Sequence, residues 1–547
     1  MFKLNNKEQM EIFSPESSWS YYQKKVIDES WVGYFHDKIF PNINEGAFRP
    51  LYVDTSEGRS NDPINVTVSL FIIKSITNCT DEEVYHSLLF DARIQYAVHI
   101  NRIEDIRFSK NIMGNFRTKI RTYYEKTGIN LLDEELRRLN DYILELHNVD
   151  RSVLRRDSLM VSDSCKNLSR IELVYTVNHN FIKLLSELKI DLLEEYECYL
   201  NEKHRNEVIY KTRDSEGESK LTTLLNTSLK LYEQYKDDSR VNNSESFKLL
   251  ERMIRDQYDD GESKPKENKE ISSTSLQTPY DPESTYRYKY KGNKGYVVDV
   301  EEAVNDGNPM ITDWSTNQNV KSDAEIMKEH LESMEDKEPD EETKTVEITD
   351  GAYYSNELNE LAKTKNVELH PTELVGKKVE SGNLTEFKID EESHEVLECP
   401  NGCEPVENSY KENTKIISAK FDKSKCETCL FKDKCIAYKN GKKTSSLKTT
   451  VEKYNNAKQR EKQKDENYQE LSNLRAGVEG IPSLLRRRYH IDTRAVKGQV
   501  CLNIDLGCSI VAINIKKATN MLSDLALFAI NLVKRHQQLK NLVWITY

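Results

Sequence analysis

Three carboxylates in this sequence have surroundings that suit metal-dependent phosphodiester chemistry. Asp157 lies in an apolar, β-branched run, Asp350 ends a second such run, and Glu479 lies in an arginine-rich segment. Phosphoryl transfer needs charge neutralised on the attacking and leaving oxygens, and two metal ions roughly 4 Å apart do this. Mg²⁺ prefers oxygen ligands and takes a few carboxylates plus water. Two strand-borne aspartates and a helix-borne glutamate would supply them.

The segment around Glu479 adds cations to this arrangement. Arg475 lies four residues before Glu479, and Arg486 lies seven residues after it. Helical geometry places these three residues on one stripe. A carboxylate for a metal ion beside guanidinium groups for phosphate is a chemically sensible face. Gly477, Gly480 and Pro482 in the same segment predict that the helix is irregular there.

Each of these residues also has an ordinary explanation. The chain has 92 acidic residues, and most Asp and Glu side chains are solvated surface groups. Asp350-Gly351 is a turn signal, and Arg475 with Glu479 is a common helical ion pair. Asp163 competes with Asp157 as the first ligand. Asp157 is preferred because a hydroxyl residue, Ser158, follows it directly.

Five of the ten cysteines are clustered in one short region and predict a second metal site. Their spacing is C-x3-C, 22 residues, C-x2-C, five residues and C, formed by Cys399, Cys403, Cys426, Cys429 and Cys435. Tetrahedral zinc takes four soft ligands from two short loops. We expect Cys399, Cys426, Cys429 and Cys435 to bind it, with Cys403 as a fifth candidate or a replacement. Free thiols and an iron–sulfur cluster are the alternatives.

Local patterns predict the elements that would position these residues. The runs 152–164, 345–351 and 367–371 are typical of strands, and 286–300 predicts a hairpin that turns at Lys-Gly-Asn-Lys-Gly. Helices are predicted at 66–76, after Thr80, within 104–145 and 168–212, and at 322–335. A long polar helix is predicted from near residue 450 toward Glu479, and residues 236–275 resemble a linker or insertion loop.

Composition and charge restrict the class of protein. The chain has 547 residues, a formal net charge of −13, and no apolar run of signal-peptide or membrane-span type. We therefore expect an intracellular protein of about three domains with reduced cysteines. Residues 321–350 carry twelve acids against four lysines, whereas residues 411–470 carry sixteen Lys and Arg against nine acids. A basic module thus lies inside an acidic protein.

Several motifs in order resemble the DDE transposases of bacterial insertion sequences. RRDSLMVSDSCKNLSR (155–170) resembles their first-aspartate strand, and ITDGAYYSNEL (348–358) with VELHPTEL (367–374) resembles their second. LRAGVEGIPSLLRRRYHIDTRAVKGQ (474–499) resembles their glutamate helix, and residues 59–98 resemble their N-terminal helical domain. The chain departs from some relatives at Ser472, where they carry Tyr, and at Arg486, where they carry Lys.

The resemblance implies a fold and a division of the chain. The fold is α/β: a ribonuclease H-like mixed sheet flanked by helices, preceded by an all-α domain and carrying a zinc-binding insertion. The expected segments are 1–148, helical and DNA-binding; 149–365, the first part of the core, interrupted at about 168–275; 366–465, the cysteine-rich basic insertion; and 466–547, the second part of the core with the glutamate helix.

The resemblance also implies an activity and its partners. Asp157, Asp350 and Glu479 would hold two Mg²⁺ or Mn²⁺ ions, and Zn²⁺ would be structural. The substrate would be double-stranded DNA, namely the terminal inverted repeats of the element and a target. A homodimer would bind this DNA. The protein would be located in the bacterial cytoplasm, at the nucleoid when bound to DNA, and would not contact a membrane. Phosphate contacts are expected from Arg475, Arg486, Arg487 and Lys497, and from Lys432, Lys434, Lys439, Lys442 and Lys443 of the basic insertion.

Two other functions stay open at this point. In the first, the chain is an inactive or domesticated relative that binds DNA as a regulator. In the second, it is a metal-dependent nuclease that does not join strands. The first predicts loss of one carboxylate of the triad, and all three are present.

Overall fold

A mixed sheet with helices on both faces forms the centre of the molecule. The computed structural model describes residues 2–5, 18–52, 60–100, 108–211, 214–259, 264–289, 292–304, 308–375, 383–438 and 444–544, with only the backbone of 214 and 523–544. The chain is a mixed α/β protein with a helical N-terminal region, as the sequence predicts.

Seven helices precede the first strand in the described residues. They are α1 (Tyr21–Asp28), α2 (Trp31–Tyr34), α3 (Ile64–Thr77), α4 (Asp81–Phe90), α5 (Ala92–Ala97), α6 (Ile112–Thr127) and α7 (Leu131–Leu146). The predicted helix at 66–76 is α3, which is buried along most of its length. The predicted cap at Thr80 forms a capping box, because its hydroxyl accepts from Glu83 N at 3.2 Å and Glu83 Oε2 accepts from Thr80 N at 2.8 Å.

The sheet contains six strands. They are β1 (Val153–Ser162), β2 (Thr285–Tyr288), β3 (Gly292–Ala303), β4 (Met310–Gln318), β5 (Thr345–Thr349) and β6 (Val367–Pro371). Five of them run in the order β4-β3-β1-β5-β6, with β3 antiparallel to β1 and β4, and with β1, β5 and β6 parallel. Two further helices accompany this sheet, α13 (Asp323–Ser333) between β4 and β5 and α14 (Asn356–Lys363) between β5 and β6.

The predicted hairpin is present, but Gly-Asn-Lys-Gly of the predicted turn belongs to strand β3. Strand β2 pairs with the start of β3, and Tyr288 is opposite Gly292. Gly292 and Gly295 therefore belong to β3 rather than to a turn. Glycine is needed at Gly295, where φ is +148° and a Cβ atom would lie 2.2 Å from the Val161 carbonyl oxygen.

A helical insertion separates β1 from β2. It contains α8 (Arg170–Glu187), α9 (Glu194–Glu197), α10 (Glu202–Ile209), α11 (Asp214–Tyr235) and α12 (Glu245–Gln257), and it has a hydrophobic core of its own. The prediction of a linker over residues 236–275 is wrong for α12. Phe247, Leu250 and Met253 of this helix are buried, since they recur at helical spacing and pack on α8.

After β6 the chain forms a small β-rich module. Its elements are β7 (Lys388–Ile389), β8 (Val396–Glu398), β9 (Glu407–Lys411), β10 (Ile416–Phe421), α15 (Lys423–Glu427) and β11 (Ser445–Thr450). Strands β9, β10 and β11 form one antiparallel sheet, and β7 pairs with β8. The module has a separate core that includes Phe387, Phe421 and Tyr454.

The long polar helix predicted from residue 450 is divided into several pieces. They are α16 (Val451–Lys462), α17 (Glu466–Asn473), a 3₁₀ segment (Leu474–Glu479) and α18 (Gly480–Arg487). Asp465 caps α17, and its side chain accepts from Asn467 N and Tyr468 N. The helix breaks between α16 and α17 because the Asp465 side chain accepts hydrogen bonds from backbone N–H groups that follow it.

The last helix is α19 (Gln499–Trp544), and its residues up to Met521 pack into the hydrophobic core. It contacts α3, α7 and β4, and Gly507 allows Trp314 of β4 to approach it, since a Cβ there would lie 3.0 Å from the indole ring. Among the described residues, Gln499–Leu522 is long and apolar enough to cross a membrane, but 67% of its most apolar window is buried within the protein. A core helix meets the same criterion.

Candidate active site

Strands β1 and β5 bring the two predicted aspartates to the same level of the sheet. The parallel register pairs Arg155 with Ile348, and Asp157 and Asp350 each lie two residues further on. Asp157 lies within β1, opposite Val300 of β3, whereas Asp350 directly follows β5 and is exposed. Adjacent parallel strands therefore carry these carboxylates as near neighbours, although 192 residues separate them in the sequence.

Asp157 lies close to one arginine and to two other carboxylates. Its side chain is half-buried, and its Oδ1 lies 3.3 Å from Nη2 of Arg475. Burial raises the pKa of Asp157, Arg475 opposes that rise, and the nearby carboxylates of Asp350 and Asp299 reinforce it, so that the net pKa is raised. Nε of Arg475 is buried and has no hydrogen-bond partner among the described residues.

Glu479 ends the 3₁₀ segment Leu474–Glu479, which lies across β1 and β5. Its side chain is exposed, and α18 begins at the next residue. The three residues predicted on one helical stripe are therefore divided between a 3₁₀ turn and an α-helix. Arg475 contacts Asp157, while Arg486 donates to the Met160 carbonyl oxygen at 2.8 Å and pairs with Asp492.

One open cavity of about 1010 Å³ brings together two of the three predicted carboxylates, whereas Asp350 and Arg475 are not among the described residues that line it. Asp157 and Glu479 line it together with Arg486. Two further cations lie in its wall and were not predicted from the sequence, Arg287 and Lys289 of the hairpin. The alternation Tyr-Arg-Tyr-Lys was a usable signal, because a strand with period two presents its basic side chains on one face.

The other predicted phosphate-binding residues lie elsewhere. Arg487 and Lys497 are exposed, and neither is among the described residues that line the cavity. Nζ of Lys497 lies 5.3 Å from the ring centroid of Tyr280. Beside the cysteine cluster, Lys434 is exposed and Lys432 is half-buried in the lining of the cysteine cavity. Lys439, Lys442 and Lys443 lie outside the described residues.

Asp163, the alternative first ligand, has structural partners instead. It accepts hydrogen bonds from Ser284 Oγ at 2.5 Å and Cys165 N at 3.0 Å, and it pairs with Lys294 at 3.3 Å. Its side chain is almost fully buried past the end of β1. These contacts join β1, β3 and the segment before β2, which gives Asp163 a structural role.

On the opposite face of the sheet, a second acidic group surrounds Arg156. Among the described residues, Glu301, His330 and Glu347 form the group of three potential metal ligands whose ligand atoms all lie within 4.8 Å of one another. The Arg156 guanidinium already bonds to Glu347 and to Glu301 at 2.5 Å, and its Nη2 lies 2.9 Å from Nε2 of His330. A cation is thus already buried among these carboxylates, so we interpret the group as an ion-pair network.

Four cysteines line one small cavity in the β-rich module. They are Cys399, Cys426, Cys429 and Cys435, and the cavity volume is about 20 Å³. Cys399 lies in a tight turn closed by Gly402 N donating to its carbonyl oxygen at 2.8 Å, and Gly402 has a φ of +72°. Phe431 N donates to Cys429 Sγ at 3.4 Å. Burial, with the nearby thiols Cys435, Cys399 and Cys429, raises the pKa of Cys426.

This donor set fits zinc better than it fits free thiols. Thiolates are the preferred soft ligands of Zn²⁺. Neighbouring thiolates repel one another, which disfavours their ionisation, and a bound dication offsets this repulsion. Cys403 is not among the residues that line the cavity, and burial and the neighbouring Cys399 raise the pKa of its thiol. The four cysteines preferred from their spacing are the four that surround the cavity.

Comparison with known proteins finds one family model that matches part of the chain. Residues 398–519 match the family model described as transposase DDE domain. The matched segment includes Glu479 and all five clustered cysteines, whereas Asp157 and Asp350 lie before it. The resemblance to DDE transposases of insertion-sequence type is thereby confirmed. No curated protein and no solved structure matches the chain.

Proposed function

We propose that the protein cuts DNA at the ends of its insertion sequence and joins the resulting 3′-hydroxyls to target DNA by two-metal-ion catalysis. One observation carries this proposal: Asp157 and Glu479 line a single cavity with Arg287, Lys289 and Arg486, beside Asp350. Candidate metal ligands and candidate phosphate contacts thus line the same open cavity.

The topology supports a ribonuclease H-like core. Numbering only the five aligned strands in chain order, the sheet order is 3-2-1-4-5, and the second strand is antiparallel to the rest. The first aspartate lies on the central strand and the second follows its parallel neighbour. Helical and cysteine-rich insertions between β1 and β2 and after β6 leave this order intact.

Asp157, Asp350 and Glu479 would hold the divalent ions. Their hard oxygen donors suit Mg²⁺ or Mn²⁺, and two ions would neutralise charge on the attacking and leaving oxygens. Arg475 would orient the Asp157 carboxylate through their ion pair. Arg287, Lys289 and Arg486 would contact phosphates and orient the strand without reading its sequence.

Zn²⁺ would hold the β-rich module together through Cys399, Cys426, Cys429 and Cys435. The module is small and contains short strands, so four covalent-like bonds to one ion would contribute much of its folding energy. We further propose that the active form is a dimer on DNA, because two ends of one element must be held together for joining.

A cleavage and joining assay tests the proposal. A labelled DNA carrying the ends of the element is incubated with Mg²⁺ and target plasmid, and nicked, double-cut and joined products are separated on a gel. We expect wild type to form joined product, and Asp350→Asn to bind the ends but form none. If Asp350→Asn retained full cleavage and joining, the proposed mechanism would be wrong. Cutting without joining by wild type would instead indicate a nuclease.

A further inference from the structure

We propose that Arg155 and Gly477 are positioning residues that hold Glu479 in place over the strand carrying Asp157. This inference rests on the proposed function of the carboxylates and adds to it. Arg155 precedes Asp157 by two residues on β1, so both side chains point to the same face of the sheet. The 3₁₀ segment Leu474–Glu479 lies on that face.

Arg155 is hydrogen-bonded to the start of this segment. Its Nη1 donates to the Leu474 carbonyl oxygen at 2.6 Å, and Leu474 is the first residue of the 3₁₀ segment that ends at Glu479. Its Nε and Nη2 donate to Glu302 Oε2 at 2.9 Å and 2.6 Å. The guanidinium therefore connects the central strand, its antiparallel neighbour and the segment that carries the third carboxylate.

Gly477 makes this contact sterically possible. A Cβ atom at position 477 would lie 2.1 Å from Arg155 Nη1 and 2.7 Å from its Cζ. Gly477 is not among the glycines with positive φ, so the requirement there is for space rather than for backbone conformation. Neither distance is compatible with a methyl group, and the Arg155 guanidinium cannot move aside freely because three hydrogen bonds fix it.

The network extends to the last helix and is buried. Lys517 Nζ of α19 lies 3.0 Å from Glu302 Oε1, so two cations share one carboxylate whose side chain is 2% exposed. Burying such ions is costly, and they stabilise one arrangement only when their hydrogen bonds are satisfied. Here the satisfied arrangement fixes the distance between β1 and the 3₁₀ segment.

Arg475 provides a second contact between the same two elements, through its ion pair with Asp157. The first and third carboxylates are therefore coupled through two contacts one residue apart, at Leu474 and Arg475. A shift of the 3₁₀ segment would separate the proposed metal ligands and leave the hairpin cations Arg287 and Lys289 in place. Loss of groups that orient metal ligands commonly costs about 10- to 100-fold in metal affinity or activity.

The test compares two glycines in the full-length protein. Gly477→Ala places a methyl group against Arg155, whereas Gly480→Ala is the matched control, because a Cβ there meets nothing within 4 Å. Cleavage of end DNA is measured across a Mg²⁺ titration, together with end binding in EDTA and the thermal midpoint. We expect Gly477→Ala to raise the Mg²⁺ concentration for half-maximal cleavage about tenfold or more, with unchanged end binding, and Gly480→Ala to behave as wild type.

Three further variants keep the inference testable if Gly477→Ala does not fold. Arg155→Lys keeps a positive charge beside Glu302 but removes the guanidinium that bonds to both Glu302 and Leu474. It should also raise the Mg²⁺ concentration needed for half-maximal cleavage. Arg155→Ala/Gly477→Ala should match Arg155→Ala alone, since the clash is then absent. A normal Mg²⁺ requirement in Gly477→Ala or Arg155→Lys, or additive effects in the double variant, would overturn the inference.

Glu479→Gln separates this inference from the function on which it rests. If Glu479→Gln cleaves like wild type, the proposed function itself fails. If Glu479→Gln is inactive and Gly477→Ala has a normal Mg²⁺ requirement, only the positioning role fails.

Discussion

Arg475 and Asp157 are 318 positions apart in the chain, yet the Arg475 guanidinium lies 3.3 Å from the Asp157 carboxylate. This pair closes the 3₁₀ segment onto the central strand and leaves the Asp157 carboxylate facing the cavity that Glu479 also lines. The proposed catalytic face is therefore assembled from the two ends of the core, across both insertions.

Asp157 and Asp163 have different predicted roles, and substitution separates them. Asp157→Asn should lower cleavage by roughly 100-fold or more, the size of loss that follows removal of one electrostatic group in an active site. Asp163→Asn should lower the thermal midpoint instead, because it weakens bonds to Ser284 and Lys294, while cleavage per folded molecule persists. Loss of cleavage in Asp163→Asn at unchanged stability would reverse the assignment.

The hairpin cation Lys289 should contact DNA more directly than the sequence-predicted Lys497. Lys289 lines the cavity with Asp157 and Glu479, and Lys497 does not. Lys289→Gln should weaken end binding and reduce the slope of log K against log salt by about 0.9, one phosphate contact. Fluorescence anisotropy across a salt series measures both quantities. An unchanged slope in Lys289→Gln, or an equal decrease in Lys497→Gln, would argue against this cavity as the DNA path.

The zinc proposal distinguishes Cys435 from Cys403. Cys435 lines the small cysteine cavity, whereas Cys403 is not among its lining residues. Purified wild type should contain about one tightly bound zinc, the four-cysteine stoichiometry. Cys435→Ser should lose that zinc and make the module sensitive to protease, and Cys403→Ser should keep it. Mass spectrometry of the metal content checks both variants, and zinc retention in Cys435→Ser would require a different ligand set.

His330 should make the stability of the core depend on pH. Burial and Arg156 lower the pKa of His330, but the hydrogen bond to Asp313 and the carboxylates of Glu347 and Glu301 outweigh them, so its pKa is raised. The protonated form therefore stabilises the folded state. This contribution is fully present below the unfolded pKa of about 6.5 and is lost as the pH rises through the higher folded pKa.

Urea unfolding of wild type and His330→Gln between pH 5.5 and about pH 9 measures this contribution. The advantage of wild type in free energy of unfolding should be largest at the acid end and should decrease toward alkaline pH. His394→Gln is a suitable control, because His394 lies in the separate β-rich module rather than against Arg156. An advantage that grows with pH would contradict the prediction.

Much of the secondary structure follows from local sequence. Thr80 caps its helix, β1 and β5 coincide with the predicted β-branched runs, and the apolar stretch after residue 500 forms the core helix α19. Capping and periodicity act within a few residues, which is why they could be predicted. The cysteine spacing likewise indicated four residues that share one cavity, since two short loops restrict their reach.

The assembly of the proposed site depended on tertiary structure. The parallel register of β1 and β5 brings Asp157 level with Asp350, and a register extends over positions that no local pattern relates. The 3₁₀ path of Leu474–Glu479 replaces the predicted helical stripe, and Gly477 of this segment lies against the Arg155 guanidinium. The types and spacing of the carboxylates came from the sequence, whereas strand register and the packing of the 3₁₀ segment on β1 decided their placement.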